Sequence, residues 1–174
     1  FDIQKIKETE KKTKHDVAAF VSEVQKAVGS SGRFIHWGLT SSDIVDTAFA
    51  YRLKESAGLV LEGVKKCLGT TRKHAREYKN TLMMGRTHGI HAEPMTFGMK
   101  WLLWHDQLKR AFERIQQAQK EISVGKLSGA VGNYAQVPPE IEKWVCKKLG
   151  LTPDSISTQV ISRDRFAAYF CSLG

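Results

Sequence analysis

Apolar residues recur every three or four positions along much of the chain, which is the spacing of one face of an α-helix. The first stripe covers residues 17–28 and stops at residues 29–32, Gly-Ser-Ser-Gly. A second stripe runs from Val45 to Leu68, the length of about six helical turns. It follows a capping signal, because Thr40 stands three residues before Asp43. The pattern therefore predicts two helices, the second of them long, joined by a short connector.

Three more helices are predicted after residue 94. An aromatic-rich stripe from Phe97 to Ile122 is expected to form core. Two consecutive prolines, at 138 and 139, open a short helix that reaches Leu149, and a last helix is expected to begin near Ser157. No segment alternates apolar and polar residues for long enough to predict a strand or a hairpin. The predicted fold is all-α, a bundle of long helices.

The chain is strongly basic, with 27 basic and 18 acidic residues among 174 and a formal net charge of +9. Such a field attracts nucleic acid, an anionic membrane or a small polyanionic substrate. No apolar run approaches the roughly 18 residues of a membrane span. A membrane is therefore not an expected partner, and the protein is expected to be cytoplasmic. The three cysteines, at 67, 146 and 171, form no CxxC motif, which predicts reduced thiols.

Residues 80–94 form the obvious candidate site, because two glycines and a proline interrupt the helical periodicity there. They include His88 and His91. Histidine exchanges protons near neutral pH, so one of them could act as a general acid, and a merely solvated histidine is the alternative. On a helix the two would share a face and could bind a metal ion. No third ligand has a convincing spacing, so no metal site is predicted.

The start of the long helix is a second candidate, carrying Thr40, Ser41 and Ser42. Free backbone N–H groups and the positive end of the helix dipole favour a bound carboxylate or phosphate there. Ordinary N-capping is the alternative, and both can hold at once.

Two other segments suggest anion binding less specifically. The connector Gly125–Gly132 lacks the GxxxxGK[ST] order of a phosphate-binding loop and is interpreted as a turn. The lysine-rich run Lys5–Lys14 is most simply a solvated helix face, because it lacks the aromatic residues of a single-strand binding groove. Nucleic acid is therefore not an expected partner, although a basic helical RNA-binding module remains the alternative from a different functional class.

Four segments resemble, in order and spacing, the adenylosuccinate lyase family of the fumarase/aspartase superfamily. They are TKHDVAAF from Thr13, HWGLTSSDIVDTA from His36, MGRTHGIHAEPMTFG from Met84 and STQVISRDR from Ser157. The TSSD and GRTH elements occur throughout the superfamily. HGIHAEP, together with the KHD and HWGLTSSD segments, is much more specific to adenylosuccinate lyases, and the resemblance covers essentially the whole chain.

The resemblance implies a C–N lyase that eliminates fumarate from adenylosuccinate to leave AMP. The same elimination is implied for the succinylated carboxamide ribotide of purine biosynthesis. Both substrates carry a phosphate and two carboxylates, which suits a basic protein. No cofactor is implied. Another lyase of the superfamily, such as argininosuccinate lyase, is the alternative within the same class.

Site residues follow from the resemblance position by position. His88 matches the general acid that protonates the departing nitrogen. Thr40 and Ser41 match residues that hold the fumaryl carboxylate, in agreement with the helix-start argument. Further substrate contacts are matched by Lys14, His15 and Asp16 near the N-terminus and by Gln159 near the C-terminus. Three neighbouring residues have weaker claims: His36, Thr87 and Arg163.

The resemblance also implies how the chain is organised. Residues 1–40 are expected to be the remainder of an N-terminal helical domain, and residues 41–174 the first part of a central long-helix domain. The catalytic serine base is expected beyond Gly174, so the isolated chain is expected to be inactive. Family members are homotetramers in which each active site draws on three subunits. An isolated chain with unpartnered apolar stripes is therefore expected to self-associate.

Overall fold

A computed structural model describes residues 2–174 of the chain. Six α-helices account for most of them, which confirms the all-α class. They are α1 (Ile3–Thr13), α2 (Asp16–Val28), α3 (Ser41–Glu77), α4 (Phe97–Ile122), α5 (Pro139–Leu149) and α6 (Arg163–Cys171), with a 3-10 helix at Gly29–Phe34. Four strands complete the fold: β1 (Leu82–Thr87), β2 (Ile90–Thr96), β3 (Val124–Gly125) and β4 (Thr152–Pro153).

The predicted helix over residues 17–28, the long helix after Thr40, the Phe97–Ile122 helix and the Pro139 helix are all confirmed. α3 is longer than its apolar stripe and continues to Glu77. The run Lys5–Lys14 coincides with α1, none of whose residues is buried, as expected of a solvated helix.

The prediction that no hairpin forms is wrong. β1 and β2 pair antiparallel, with Leu82 opposite Thr96 and Thr87 opposite Ile90. The alternation of apolar and polar residues there is too weak to predict strands, and Pro94 lies inside β2. In a two-stranded ribbon both strands are edges, however, so a proline inside β2 is tolerated.

The last helix begins at Arg163, six residues later than predicted. Hydrogen bonds to side chains elsewhere hold the preceding segment out of helical conformation. The Ile161 N–H donates to the Asp46 carboxylate at 3.0 Å, and the Gln159 carbonyl accepts from the Lys126 ammonium at 3.0 Å. These partners lie more than 30 residues away, so no local pattern announces them.

The chain divides into two compact units. The first unit contains Phe1–Tyr51 and Val124–Arg163, and the second contains Arg52–Ser123 and Asp164–Gly174. Both are therefore built from non-contiguous segments. The domain boundary expected at residue 40 coincides with the start of α3 and otherwise stays a prediction.

The core of the first unit forms around the short parallel pair β3–β4. Val124 and Gly125 pair with Thr152 and Pro153. Gly125 is required by close packing, because a Cβ there would lie 2.8 Å from the Cys146 Sγ. The buried apolar side chains of this unit come from all of its segments: Ala19, Ala50, Val124, Leu127, Val137, Cys146, Leu151 and Ile161.

The second unit is built on an antiparallel pairing of α4 with the part of α3 after Tyr51. The Gln119 amide donates to the Lys54 carbonyl at 2.9 Å, and His105 lies 3.1 Å from the Thr71 hydroxyl. From Lys54 to Thr71 the residue number on α3 increases, while that of the partner on α4 decreases from 119 to 105. The two helices therefore run antiparallel. Ile115, Ala118 and Ile122 are buried as the stripe predicts, whereas Trp104 is 40% exposed.

Candidate functional site

Two predicted site residues lie at the start of α3: Thr40 directly precedes the helix and Ser41 is its first residue. The Thr40 N–H donates to the Asp43 carboxylate at 2.8 Å, which is one half of the reciprocal capping arrangement predicted from the sequence. Thr40 and Ser41 are both half-buried. The backbone N–H groups of this turn and the positive helix end make it a suitable place for an anion.

Ser41 also lines a cleft of about 270 Å³ in the first unit, together with His15 and His36. The remaining wall comes from α2 side chains: Val17, Ala18, Val21, Ser22 and Gln25. The structure thus brings three residues from the TKHD and HWGLTSSD segments to one cavity. Its wall combines imidazole, hydroxyl and amide groups with the apolar side chains of Val17, Ala18 and Val21, which suits a ligand with both polar and apolar parts.

The two histidines of this cleft differ in how they are held. His15 caps α2, with its Nδ1 3.3 Å from the N–H of Ala18. The Nε2 of His36 is buried, and no hydrogen-bond partner for it occurs among residues 2–174. His36 also has a positive φ of 65°. Because a buried polar atom without a partner is costly, His36 is a stronger site candidate than its sequence match suggested.

His88 occupies the turn of the β1–β2 hairpin in the second unit. The turn has two residues, His88 and Gly89, with φ values of 52° and 75°. Two consecutive positive φ angles are typical of a type I′ hairpin turn. His88 is exposed at the tip, and Thr87 beside it closes the ribbon against Ile90. The imidazole is therefore presented to solvent at the end of a short two-stranded ribbon.

His88 and His91 do not share a helical face, because both lie in the β1–β2 hairpin. His91 on β2 instead lies 3.3 Å from the guanidinium of Arg86 on β1. In the part of the chain that the structure describes, no group of three His, Cys, Asp or Glu side chains is arranged to hold a metal ion. Among the same residues, no helix is long and apolar enough to cross a membrane.

Three other predicted contacts lie in the first unit and are exposed: Lys14, Asp16 and Gln159. Lys14 ends α1 with a φ of 54°, and the Asp16 carboxylate accepts from the Val17 N–H at 2.7 Å. Gln159 lies in a segment that lines a second cavity of about 380 Å³. The weaker candidate Arg163 donates to the buried Asp46 carboxylate at 2.9 Å, which gives it a structural partner.

Thiol chemistry is not supported at the buried cysteine. Burial, reinforced by the neighbouring Glu142 carboxylate, raises the pKa of the Cys146 thiol to about 11. The thiol is therefore protonated at neutral pH and is a poor nucleophile. Cys67 and Cys171 are exposed and free.

Comparison with known proteins decides the family. The chain matches the profile of a family described as lyase over residues 1–174. It belongs to this lyase family.

Curated relatives in the lyase family include adenylosuccinate lyases, as the sequence segments indicated. That of Bacillus subtilis is 50% identical over 173 residues, which are 99% of this chain and 40% of the relative. Those of Staphylococcus saprophyticus and Aquifex aeolicus are 47% and 49% identical over 172 residues, again 99% of this chain, and 40% and 39% of the relatives. The chain thus spans about 40% of the length of these relatives.

Solved structures of the lyase fold are similar over the same extent. A fumarate lyase from Mesorhizobium sp. BNC1 superposes with a TM-score of 0.91 at 26% identity, covering 99% of this chain and 41% of that one. A 3-carboxy-cis,cis-muconate lactonizing enzyme from Pseudomonas putida gives 0.89 at 25% identity with the same coverage. The fold is therefore shared by relatives with different chemistry.

Sequence reasoning missed a buried polar network in this lyase chain. Asp43, Asp46 and Thr47 face inwards on α3, while Val45 and Phe49 from the predicted apolar stripe are 48% and 42% exposed. Lys126, in the connector interpreted as a turn, is fully buried and paired with Asp43. One signal was available: three polar residues at helical spacing, at 43, 46 and 47, form a face of their own.

Proposed function

We propose that the chain forms part of an adenylosuccinate lyase. The enzyme would eliminate fumarate from adenylosuccinate to leave AMP, and from the succinylated carboxamide ribotide in purine biosynthesis. The observation that carries the proposal is the 47–50% identity to adenylosuccinate lyases over 99% of the chain. A fumarate lyase and two muconate-converting enzymes of known structure are only 25–29% identical.

The anion-binding features of the first unit support this substrate class. A substrate with one phosphate and two carboxylates needs positive potential and hydrogen-bond donors. The net charge of +9 supplies the positive potential. The N-terminus of α3, beside the His15–His36–Ser41 cleft, supplies hydrogen-bond donors. We assign Thr40 and Ser41 to a substrate carboxylate. Lys14, His15, Asp16 and Gln159 are assigned to further substrate contacts.

Elimination needs a base, stabilisation of the carbanion and an acid for the departing nitrogen. We assign the acid to His88, because it matches the residue that protonates the departing nitrogen in adenylosuccinate lyases and the hairpin turn leaves its imidazole exposed. A histidine suits this role, since it can be protonated near neutral pH and still release its proton. The base is not assigned among residues 1–174.

The assembly and location of the enzyme are part of the same proposal. We assign the complete protein to a cytoplasmic homotetramer in which several subunits contribute to each active site. Exposed apolar side chains on α3 and α4, including Phe49, Leu59, Leu102 and Leu103, supply surfaces for such association.

The test is a direct assay of the full-length protein that contains this chain, with adenylosuccinate, argininosuccinate and malate as substrates. We expect fumarate to be released from adenylosuccinate alone. Cleavage of argininosuccinate alone would instead identify another lyase of the superfamily. Activity with none of the three, combined with RNA binding that weakens steeply with salt, would favour the RNA-binding alternative.

A further inference from the structure

The Lys126 side chain is completely buried in the first unit, where its ammonium contacts three oxygens. Nζ lies 2.5 Å from the Asp43 carboxylate, 3.0 Å from the Gln159 carbonyl and 3.2 Å from the Gly129 carbonyl. A lysine ammonium has three N–H donors, so these contacts occupy all of them. Lys126 therefore has no donor left for a ligand and acts on the protein itself.

The Asp43 carboxylate also binds several groups. Besides the ammonium, it accepts the Thr40 N–H at 2.8 Å and the Gly129 N–H at 3.2 Å. The Lys126 backbone is fixed to the same helix, because the Thr47 hydroxyl lies 3.0 Å from both its N–H and its carbonyl. Three segments far apart in sequence are thus joined through one ion pair.

Two of these segments carry proposed substrate contacts. The start of α3 carries Thr40 and Ser41, and the Thr40 backbone is itself bonded to Asp43. The other segment carries Gln159, whose carbonyl is bonded to Lys126 while its side chain is exposed. The ion pair fixes the backbone of both contacts and leaves their side chains available.

We propose that Lys126 is a positioning residue that holds the carboxylate-binding start of α3 and the Gln159 segment in register for substrate. The inference rests on the proposed function. A buried ion pair by itself is weak evidence of a stabilising role, because desolvation of the two charges offsets their attraction. What distinguishes Lys126 is where its contacts lead: directly to the Gln159 backbone carbonyl, and through the Asp43 carboxylate to the Thr40 N–H.

The experiment compares variants of the full-length enzyme by steady-state kinetics, thermal melting and sedimentation. Lys126→Met with Asp43→Asn removes the ion pair without leaving one buried charge unpaired. Thr47→Val is a milder variant that frees only the Lys126 backbone. Leu151→Ala is the control, because it opens the buried core of the same unit without touching the ion pair.

We expect the double variant to raise KM for adenylosuccinate at least about tenfold with a smaller change in kcat, because binding contacts are misplaced while the proposed acid is intact. Thr47→Val should shift KM in the same direction by less. Leu151→Ala should lower the melting temperature and leave KM unchanged.

An unchanged KM in a folded, tetrameric double variant overturns the proposal. So does a rise in KM in Leu151→Ala that equals the rise in the double variant. Should the double variant fail to assemble, Thr47→Val decides, and a wild-type KM there overturns the proposal. A wild-type protein that does not cleave adenylosuccinate overturns the proposed function first, and the substrate-positioning role falls with it.

Discussion

Four residues other than glycine have positive φ angles in the described chain, and three of them are predicted site residues or their neighbours. They are Lys14, His36 and His88, with Tyr134 as the fourth. Such conformations cost on the order of 1 kcal/mol or more and persist only where the surroundings fix them. At Lys14 the cause is local, because the residue ends α1. At His36 the positive φ coincides with a buried side-chain nitrogen that lacks a hydrogen-bond partner among the described residues. At His88 it coincides with the tip of a hairpin, a position from which functional side chains are often displayed.

His88 gives the first prediction. If it protonates the departing nitrogen, His88→Gln in the full-length enzyme should lower kcat at least about a hundredfold, the lower end of what general acid catalysis contributes. Substrate binding and assembly should be retained, because the side chain is exposed and its removal disturbs no core. Single-turnover kinetics would measure the chemical step and substrate binding, and sedimentation would measure assembly.

His91→Gln on the same hairpin is the matched control and should cost far less than His88→Gln. A His88→Gln enzyme with wild-type kcat would remove this histidine from the catalytic role. A variant that is less stable but fully active per folded molecule would make the residue structural.

At the scale of elements, the approach of α4 to the end of α3 depends on Gly98. A Cβ at this position would lie 2.7 Å from the Ala75 carbonyl oxygen and 2.7 Å from the Lys79 Cα. Both are backbone atoms, which cannot move aside as a flexible side chain can. Gly63 on α3 is the opposite case, because nothing lies within 4 Å of a Cβ built there.

Substituting these two glycines by alanine should therefore have opposite effects on the free energy of unfolding. Alanine is favoured over glycine in a helix by about 1 kcal/mol, whereas forcing atoms into a filled space costs about 1–3 kcal/mol. Gly98→Ala should lower the free energy of unfolding of the chain by up to about 2 kcal/mol, the packing cost less the gain in helix propensity, while Gly63→Ala should raise it by up to about 1 kcal/mol. Urea unfolding followed by circular dichroism measures both, and equal stability of the two variants would contradict the packing argument.

At the scale of the whole molecule, an unusual share of large apolar side chains is exposed. On α3, Val45 is 48% and Leu59 is 74% exposed, and on α4 Leu102 is 56% exposed. These residues belong to helices whose opposite faces are buried, so the helices present apolar surface on two sides. Such surface is typical of chains that associate.

The isolated 174-residue chain should therefore self-associate. Sedimentation at micromolar concentration should show species larger than a monomer. Replacing Leu59 and Leu102 by glutamine should shift the distribution towards monomer without loss of helix signal. A monodisperse monomer of the unmodified chain would refute the prediction.

Much of this protein follows from the sequence alone. The helices of residues 17–28, 97–122 and 139–149 are predictable because their signals are local: apolar spacing, capping residues and prolines. The family resemblance was also accessible, since HGIHAEP and HWGLTSSD are contiguous segments that are recognised without knowledge of the fold.

Only the tertiary structure decided the rest. The late start of α6 and the burial of Lys126 depend on partners distant in sequence, such as Asp46 for Ile161 and Asp43 for Lys126. The hairpin at 82–96 pairs neighbouring segments, but its strands lack the alternation of apolar and polar residues that would predict them. Periodicity identifies an amphipathic face but cannot say which side of α3 is buried, and here polar Asp43 and Thr47 are covered while Phe49 is exposed. The physical reason is that burial of a polar group depends on whether a partner meets it in space, and that partner is chosen by the fold.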